Sequence, residues 1–191
     1  MAHVSIIGNG NMGQAISGIV TASGNTVEVL GHGDTKPVTG DIVILAVPYP
    51  AVSDVIAKRA DQLAGKVVVD ITNPLNFETF DALVVPADSS AAAQIAAALP
   101  QSRVVKAFNT VGAEVMVDPR YPDGPAVLPV AGDDTAAKAT ALALARDLGF
   151  APIDAGPLSM ARYLEPFAML WIKLALVQGL GRRFAFRLLQ R

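Results

Sequence analysis

The chain has 191 residues, 52% of them hydrophobic, enough for one substantial core and a short appendage. Seventeen acids against fifteen bases give a formal charge of −2, which excludes the strong positive field expected of a nucleic-acid binder. Cysteine is absent, which excludes disulfides, thiolate nucleophiles and thiolate metal ligands and suits a reducing cytoplasm.

Residues 3–7 (HVSII) predict a strand, and no charged leader or cleavage site marks a secretory signal. The strand runs into Gly8-Asn9-Gly10-Asn11-Met12-Gly13, and residues 12–22 then follow helical spacing to a stop near Gly24. Glycines at this spacing, between strand and helix in a βαβ-like unit, are the setting of a dinucleotide-binding turn. Gly8 permits the turn, Gly10 lets the backbone approach a pyrophosphate, and Gly13 lets the helix sit close on the sheet. With Asn9, Asn11 and Met12 they form the expected phosphate cradle, aided by the free N–H groups of the helix start. The competing reading is a glycine turn in an unliganded α/β domain.

The second strand, residues 26–30 (TVEVL), leads into Gly31-His32-Gly33-Asp34-Thr35-Lys36. An NAD site places an Asp or Glu at such a strand end to accept from the ribose 2′-OH. Here Glu28 is mid-strand and the end holds Leu30 and Gly31, so NADP is favoured over NAD. His32 and Lys36 are the candidate cations for a 2′-phosphate, although neither is the arginine such a group suits best. His32 also reads as a solvated loop residue. Ten residues separate Leu30 from Asp41, too few for the helix and third strand that usually follow. A smaller sheet and a more exposed adenosine are expected.

Strands follow at 41–47, 66–70, 103–107, 126–131 and 151–154, with helices at 51–63, 90–99 and 135–148. Continuous apolar runs such as IVILAV and VVVD predict a parallel sheet buried on both faces. The fold expected is α/β: a Rossmann-like NAD(P)-binding domain over residues 1–156, shortened after its second strand.

Residues 157–191 carry six bases (Arg162, Lys173, Arg182, Arg183, Arg187, Arg191) against Glu165 alone, while the rest of the chain is net −7. That step marks a C-terminal helical tail. Residues 159–165 predict one helical segment and Pro166 begins a second. FAMLWIKLALVQ is apolar nearly all round, as buried helices are, yet holds Lys173 and falls far short of the roughly 20 residues a bilayer span needs. Phe167, Leu170, Trp171, Leu174 and Val177 form one stripe, and Met169, Ile172 and Leu176 a second. Two faces predict two partners, the parent domain and a second copy in a homodimer. In the basic end, GRRFAFRLLQR, Arg183, Arg187 and Arg191 have i, i+4 spacing. This predicts either a solvated amphipathic end or a surface for an anionic substrate tail or a membrane.

GNGNMG, DIVILAVPYPAV, VVDITNPLNF, ADSSAA, VVKAFNTVGAEV, VAGDD and DAGPLSMARYLEP, in that order, cover nearly the whole chain. Together they resemble the NADP oxidoreductase family that includes the coenzyme F420-dependent reductases and is related to the cytosolic domains of transmembrane ferric reductases. The resemblance implies hydride transfer between NADP(H) and a flavin-like or deazaflavin acceptor, with F420 or a flavin as second cofactor or substrate. It implies that Ala46, Val47 and Pro48 pass under the cofactor, and that Asn73-Pro74 and Asn109-Thr110 line its nicotinamide end together with DAGPL. Each asparagine also reads as a turn or cap residue.

A dehydrogenase acting on an alcohol needs a group that moves a proton. The two histidines fall in the first strand and the cofactor loop, and Lys106 and Tyr163 sit in no recognisable relay. Hydride passing between stacked heterocycles asks mainly for proximity and orientation. No catalytic side chain and no metal site is therefore predicted. The expectation is a cytoplasmic NADPH-dependent oxidoreductase with a small-molecule redox acceptor, no nucleic-acid partner and no transmembrane segment. The alternative is a non-catalytic NADP(H)-binding module that senses redox state.

Overall fold

A computed structural model describes residues 1–76, 78–189 and 191; Phe77 and Gln190, which fall in two of the stretches above, lie outside the described residues. The elements in chain order are β1 (His3–Ile7), α1 (Asn11–Ala22), β2 (Thr26–Leu30), β3 (Ile42–Leu45), α2 (Val52–Leu63), β4 (Val67–Asp70), α3 (Ala91–Ala98), β5 (Arg103–Lys106), α4 (Ala113–Val117), β6 (Val127–Gly132), α5 (Thr135–Asp147), β7 (Ala151–Gly156) and α6 (Ala161–Ile172). They build one seven-stranded sheet in the order β2-β1-β3-β4-β5-β6-β7.

Both faces of the central strands are buried, which is why these strands are apolar without alternation. Ile6, Ile44 and Val69 pack with Ile16 and Val20 of α1 and Leu144 of α5. Val43, Leu45 and Val68 face the other way, toward Val52 and Leu63 of α2 and Ile95 of α3.

The sheet is parallel from β2 through β5, as expected, but not beyond. β6 runs antiparallel to β5, and β7 runs with β6. The link from β5 to β6, residues 107–126, carries only the five-residue α4 and no long crossover helix of the kind that usually joins parallel strands. Strand direction is invisible in an apolar pattern. The reversed pair is staggered toward the carboxyl edge: Gly156 stands opposite Ala131, and Ala131 opposite Lys106 at the end of β5, so residues 154–158 (DAGPL) begin level with the carboxyl ends of the parallel strands.

At the other margin the missing third strand makes β2 the sheet edge. Glu28 fastens this edge: its carboxylate accepts from the Ser5 hydroxyl and from Thr39 N at 2.6 Å. Burial alone would raise its pKa, but these hydrogen bonds outweigh burial and hold the carboxyl below the usual glutamate range.

The tail departs from its sequence reading in three ways. First, α6 runs unbroken through Pro166, after a 3-10 turn at Leu158–Met160. The proline offers no N–H to the Arg162 carbonyl, but both residues are exposed, so water can take that acceptor. Second, the stripe placing Trp171 with Leu170 and Val177 is divided. Trp171 is buried with Leu164, Ala168 and Ala175, whereas Leu170 and Val177 are 49% and 62% exposed. Adjacent helical residues point about 100° apart, and a π-helical turn at Lys173–Val177 shifts the phase further.

Third, residues 182–189 are not helical. Gly179 and Gly181, both at positive φ, turn the chain into an extended arm that folds back on α6. Phe184 stacks on Trp171 at 5.2 Å and its carbonyl accepts the indole N–H at 3.0 Å. Phe186 packs on Phe167 at 4.5 Å, and its carbonyl accepts from Val127 N of β6. Arg183 and Arg187 therefore share no helix face.

Candidate functional site

The glycine turn sits at the carboxyl edge of the sheet where β1 lies between β2 and β3, the point at which the connections change direction and ligands of such sheets bind. Backbone bonds fix it there: Gly8 N donates to Leu30 O, and Ala46 N to Ile7 O, both at 2.8 Å. The three glycines have different causes. Gly8 has φ +121°, and a Cβ would run into the Ala46 carbonyl. A Cβ on Gly13 would strike the Gly8 carbonyl, so its absence seats α1 on the turn. Gly10 has an ordinary φ of −72°, and a Cβ there would meet nothing within 4 Å. The protein itself has no need of glycine at position 10.

That open space lies before the first turn of α1, whose leading N–H groups belong to Asn11, Met12 and Gly13; Gln14 N already donates to Gly10 O. Asn9 flanks the cradle, its amide close to Gly31. The site fits a dinucleotide diphosphate on this ground. Gly10→Ala is expected to leave the melting temperature within about 2 °C while weakening NADPH about tenfold, roughly 1.4 kcal/mol. Unchanged affinity by titration calorimetry would remove the cradle.

The loop after β2 begins with a turn at His32 and Gly33, both exposed. Asp34 closes it: its carboxylate accepts from Gly31 N at 2.7 Å and its own N–H returns to Gly31 O. The Lys36 side chain is exposed, while its carbonyl accepts from Nη1 of Arg59 at 2.8 Å. Arg59, on α2, also donates to the Asp34 carbonyl and, at 3.4 Å, to Gln62 Oε1. Nothing in the sequence linked this arginine to the loop.

Further along the same edge, Ala46, Val47 and Pro48 follow β3, Asn73 and Pro74 follow β4, and Asn109 and Thr110 follow β5. The two asparagines meet. Asn109 Nδ2 donates to Asn73 Oδ1 at 3.0 Å and to Leu164 O at 2.9 Å, while Asn73 Nδ2 donates to Asn109 O. They are more than separate turn residues, because together they tie two strand ends to α6. Phe108, just before Asn109, holds φ +59°, rare for a bulky residue, and is braced edge-to-face on Phe150. Strain of that kind collects at functional sites. Two buried polar atoms here, Asn109 Oδ1 and Thr72 Oγ1, have no hydrogen-bond partner among the described residues. They suit a ligand bearing hydrogen-bond donors.

Beneath this edge lies a buried ion cluster that sequence reading missed. Lys106 Nζ bonds Asp70 Oδ2 at 2.8 Å, Glu165 Oε1 at 2.9 Å and Thr72 O at 2.5 Å. Glu165 also accepts from Ala91 N and Ala92 N, closing the start of α3. Tyr49, after Pro48, donates to Gln94 Oε1 at 2.6 Å. Burial pushes its phenol pKa up, and the negative Glu165 and Asp70 push the same way, so the hydroxyl stays protonated. Tyr163, the other candidate for proton movement, is exposed and bonded to Arg162.

Comparison with known proteins follows the same outline. The model of the family described as NADP oxidoreductase, coenzyme F420-dependent, matches residues 35–74. The F420-dependent NADP reductase of Methanothermobacter thermautotrophicus is 31% identical over 168 residues, covering 80% of this chain and 72% of that protein. Metalloreductase STEAP3 of Rattus norvegicus is 34% identical over 180 residues, 85% of this chain; the chain spans only 35% of that protein's length. A solved structure from Arthrobacter sp. FB24, a candidate F420-dependent NADP reductase, superposes over the whole of both chains with a TM-score of 0.88 at 27% identity.

Proposed function

The chain belongs to the F420-dependent NADP reductase family, and from that premise we propose that it is an NADPH-dependent oxidoreductase passing hydride between NADP(H) and a flavin-like or deazaflavin, F420-type acceptor. The observation that carries the reading is Gly10. Gly8 and Gly13 are glycine because the protein's own atoms crowd them, whereas Gly10 faces open space where only a ligand would press.

The residues divide the work along the sheet edge. Asn9 to Gly13 present the N–H groups of α1 to the diphosphate. Gly31, His32 and Lys36 meet the adenosine ribose and favour its 2′-phosphorylated form. Ala46, Val47 and Pro48 bring bare backbone to the middle of the cofactor. Asn73, Pro74, Asn109 and Thr110 orient the nicotinamide end, where Asn109 Oδ1 offers a free acceptor to a carboxamide N–H. The nicotinamide, when bound, supplies or receives the hydride.

No proton shuttle is needed for that chemistry, and the chain's side chains are placed accordingly. Lys106 Nζ is held by three acceptors below the surface, and the Tyr49 hydroxyl is committed to Gln94. Their contribution is rigid orientation, the main demand of transfer between stacked rings. Stopped-flow oxidation of NADPH with FMN, FAD, F420 and ferric chelates tests the reading. Turnover with a flavin or F420 is expected. Tight NADPH binding with no turnover in any arm would leave the redox-sensing module instead.

Residues 157–191 act on this reading as a cover for domain 1–156 and as the dimer contact. The inner face of α6 is filled by the chain itself, while Leu170, Leu176, Val177 and Leu180 remain exposed, a face suited to a second copy. Light scattering is expected to give a mass near twice 19.8 kDa, and Leu170→Glu to lower it. A monomer at micromolar concentration would end the dimer. Trp171→Glu, by contrast, would break the α6–arm stack within one copy. Among the described residues no helix is long and apolar enough to cross a membrane, and a cytoplasmic location is proposed with the rest.

A further inference from the structure

The loop expected to recognise a 2′-phosphate holds no arginine, and its own charges are mixed: Lys36 is positive, but Asp34, two residues before it, is negative. A dianionic group would gain little from that pair alone. The third charge comes from α2. Arg59 is 9% exposed, and the groups its guanidinium touches, the Asp34 and Lys36 carbonyls and the Gln62 amide, are all neutral. Among the described residues no carboxylate is paired with it.

A buried cation is normally matched by an anion, since leaving one unmatched is costly. Backbone carbonyls solvate the guanidinium but do not cancel its charge. Arg59 also spans the loop, gripping the chain on both sides of Thr35 with the fork that lysine lacks.

We propose that Arg59 is the positioning residue that sets the preference for a 2′-phosphorylated dinucleotide, by fixing residues 34–36 and by lending the loop a positive charge that no side chain neutralises. The inference rests on the reading of the site as one for NADP(H). It places the selective cation one helix away from the loop, where sequence position gives no hint of it. Asp34 then has a defined part: its carboxylate is turned onto Gly31 N, and the pull of Arg59 on its carbonyl helps keep it there.

Titration calorimetry on the full chain with NADPH, NADH, 2′,5′-ADP and 5′-AMP tests this, the last two probing the adenosine end alone. Arg59→Met is expected to weaken NADPH and 2′,5′-ADP by about tenfold or more while NADH and 5′-AMP move by less than about threefold. Arg59→Lys, which keeps the charge and loses the fork, is expected to recover part of the 2′-phosphate preference. Equal losses for phosphorylated and unphosphorylated probes would make Arg59 a merely structural residue and overturn the inference. So would an unchanged ratio in either variant. If Arg59→Met does not fold, the same comparison in Arg59→Lys decides, with a smaller expected fall in the ratio. An unmutated chain that binds NADH as tightly as NADPH would remove the NADP reading itself, a separate outcome read before any substitution is made.

Discussion

Replacing Lys106 by methionine is expected to cost the folded state about 3–5 kcal/mol. Among the described residues the lysine is the single cation bonded to Asp70 and Glu165, and all three side chains are 0–1% exposed. Methionine fills similar space, so packing changes little; the loss is electrostatic. Two carboxylates are left in an apolar interior with only N–H donors: Thr72 N on Asp70, and Ala91 N and Ala92 N on Glu165. Chemical denaturation measures the loss, and a fall in melting temperature of about 6–20 °C should accompany it in a chain of this length. Removing the charges together should restore most of the stability, because the penalty comes from unpaired charge and not from a lost attraction. Lys106→Met combined with Asp70→Asn and Glu165→Gln is that control. A triple variant as unstable as the single one would refute this account of the cluster.

Gly8→Ala should be nearly as damaging, for reasons of shape. At φ +121° an L side chain is strained by about 1–3 kcal/mol. The new methyl group also overlaps the Ala46 carbonyl and comes within 3.2 Å of Val47 Cγ1, forcing β1 and β3 apart at a cost of about another 1–3 kcal/mol. Differential scanning calorimetry should show a clear fall in melting temperature with no cofactor present. Gly10→Ala, two residues on, should show none. The pair separates a glycine required by the fold from one required by a ligand, and a Gly8→Ala protein that melts like its parent would mean that Ala46 can give way.

The strands and long helices were legible because burial on both faces writes continuous apolar runs such as Val67–Asp70, and because Gly24 and Gly31 punctuate them. The open β2 margin was legible by counting, since ten residues cannot hold a helix and a strand. The glycine turn was legible down to the separate roles of Gly8 and Gly13. What was hidden depends on register and direction. Asp70 and Lys106 end neighbouring strands and stand opposite each other in the ladder, yet 36 positions of sequence divide them. Arg59 reaches its loop from a helix 23 residues downstream of Lys36. The arm was misread because three arginines at helical spacing drew more weight than the alternation Phe184-Ala185-Phe186, which is the pattern of extended chain.

Glu165 belongs to α6 but completes the first turn of α3, accepting from amides 74 and 73 positions away. Lifting α6 would strip those N–H groups of their acceptor and expose them to solvent in the same event. Deuterium uptake at Ala91 and Ala92 is thus a direct clock for detachment of the tail, although both residues lie on a different helix. Since Lys106 would lose a counter-charge in that event too, partial detachment gains nothing, and the two amides should exchange together with the inner face of α6, in a single all-or-none opening.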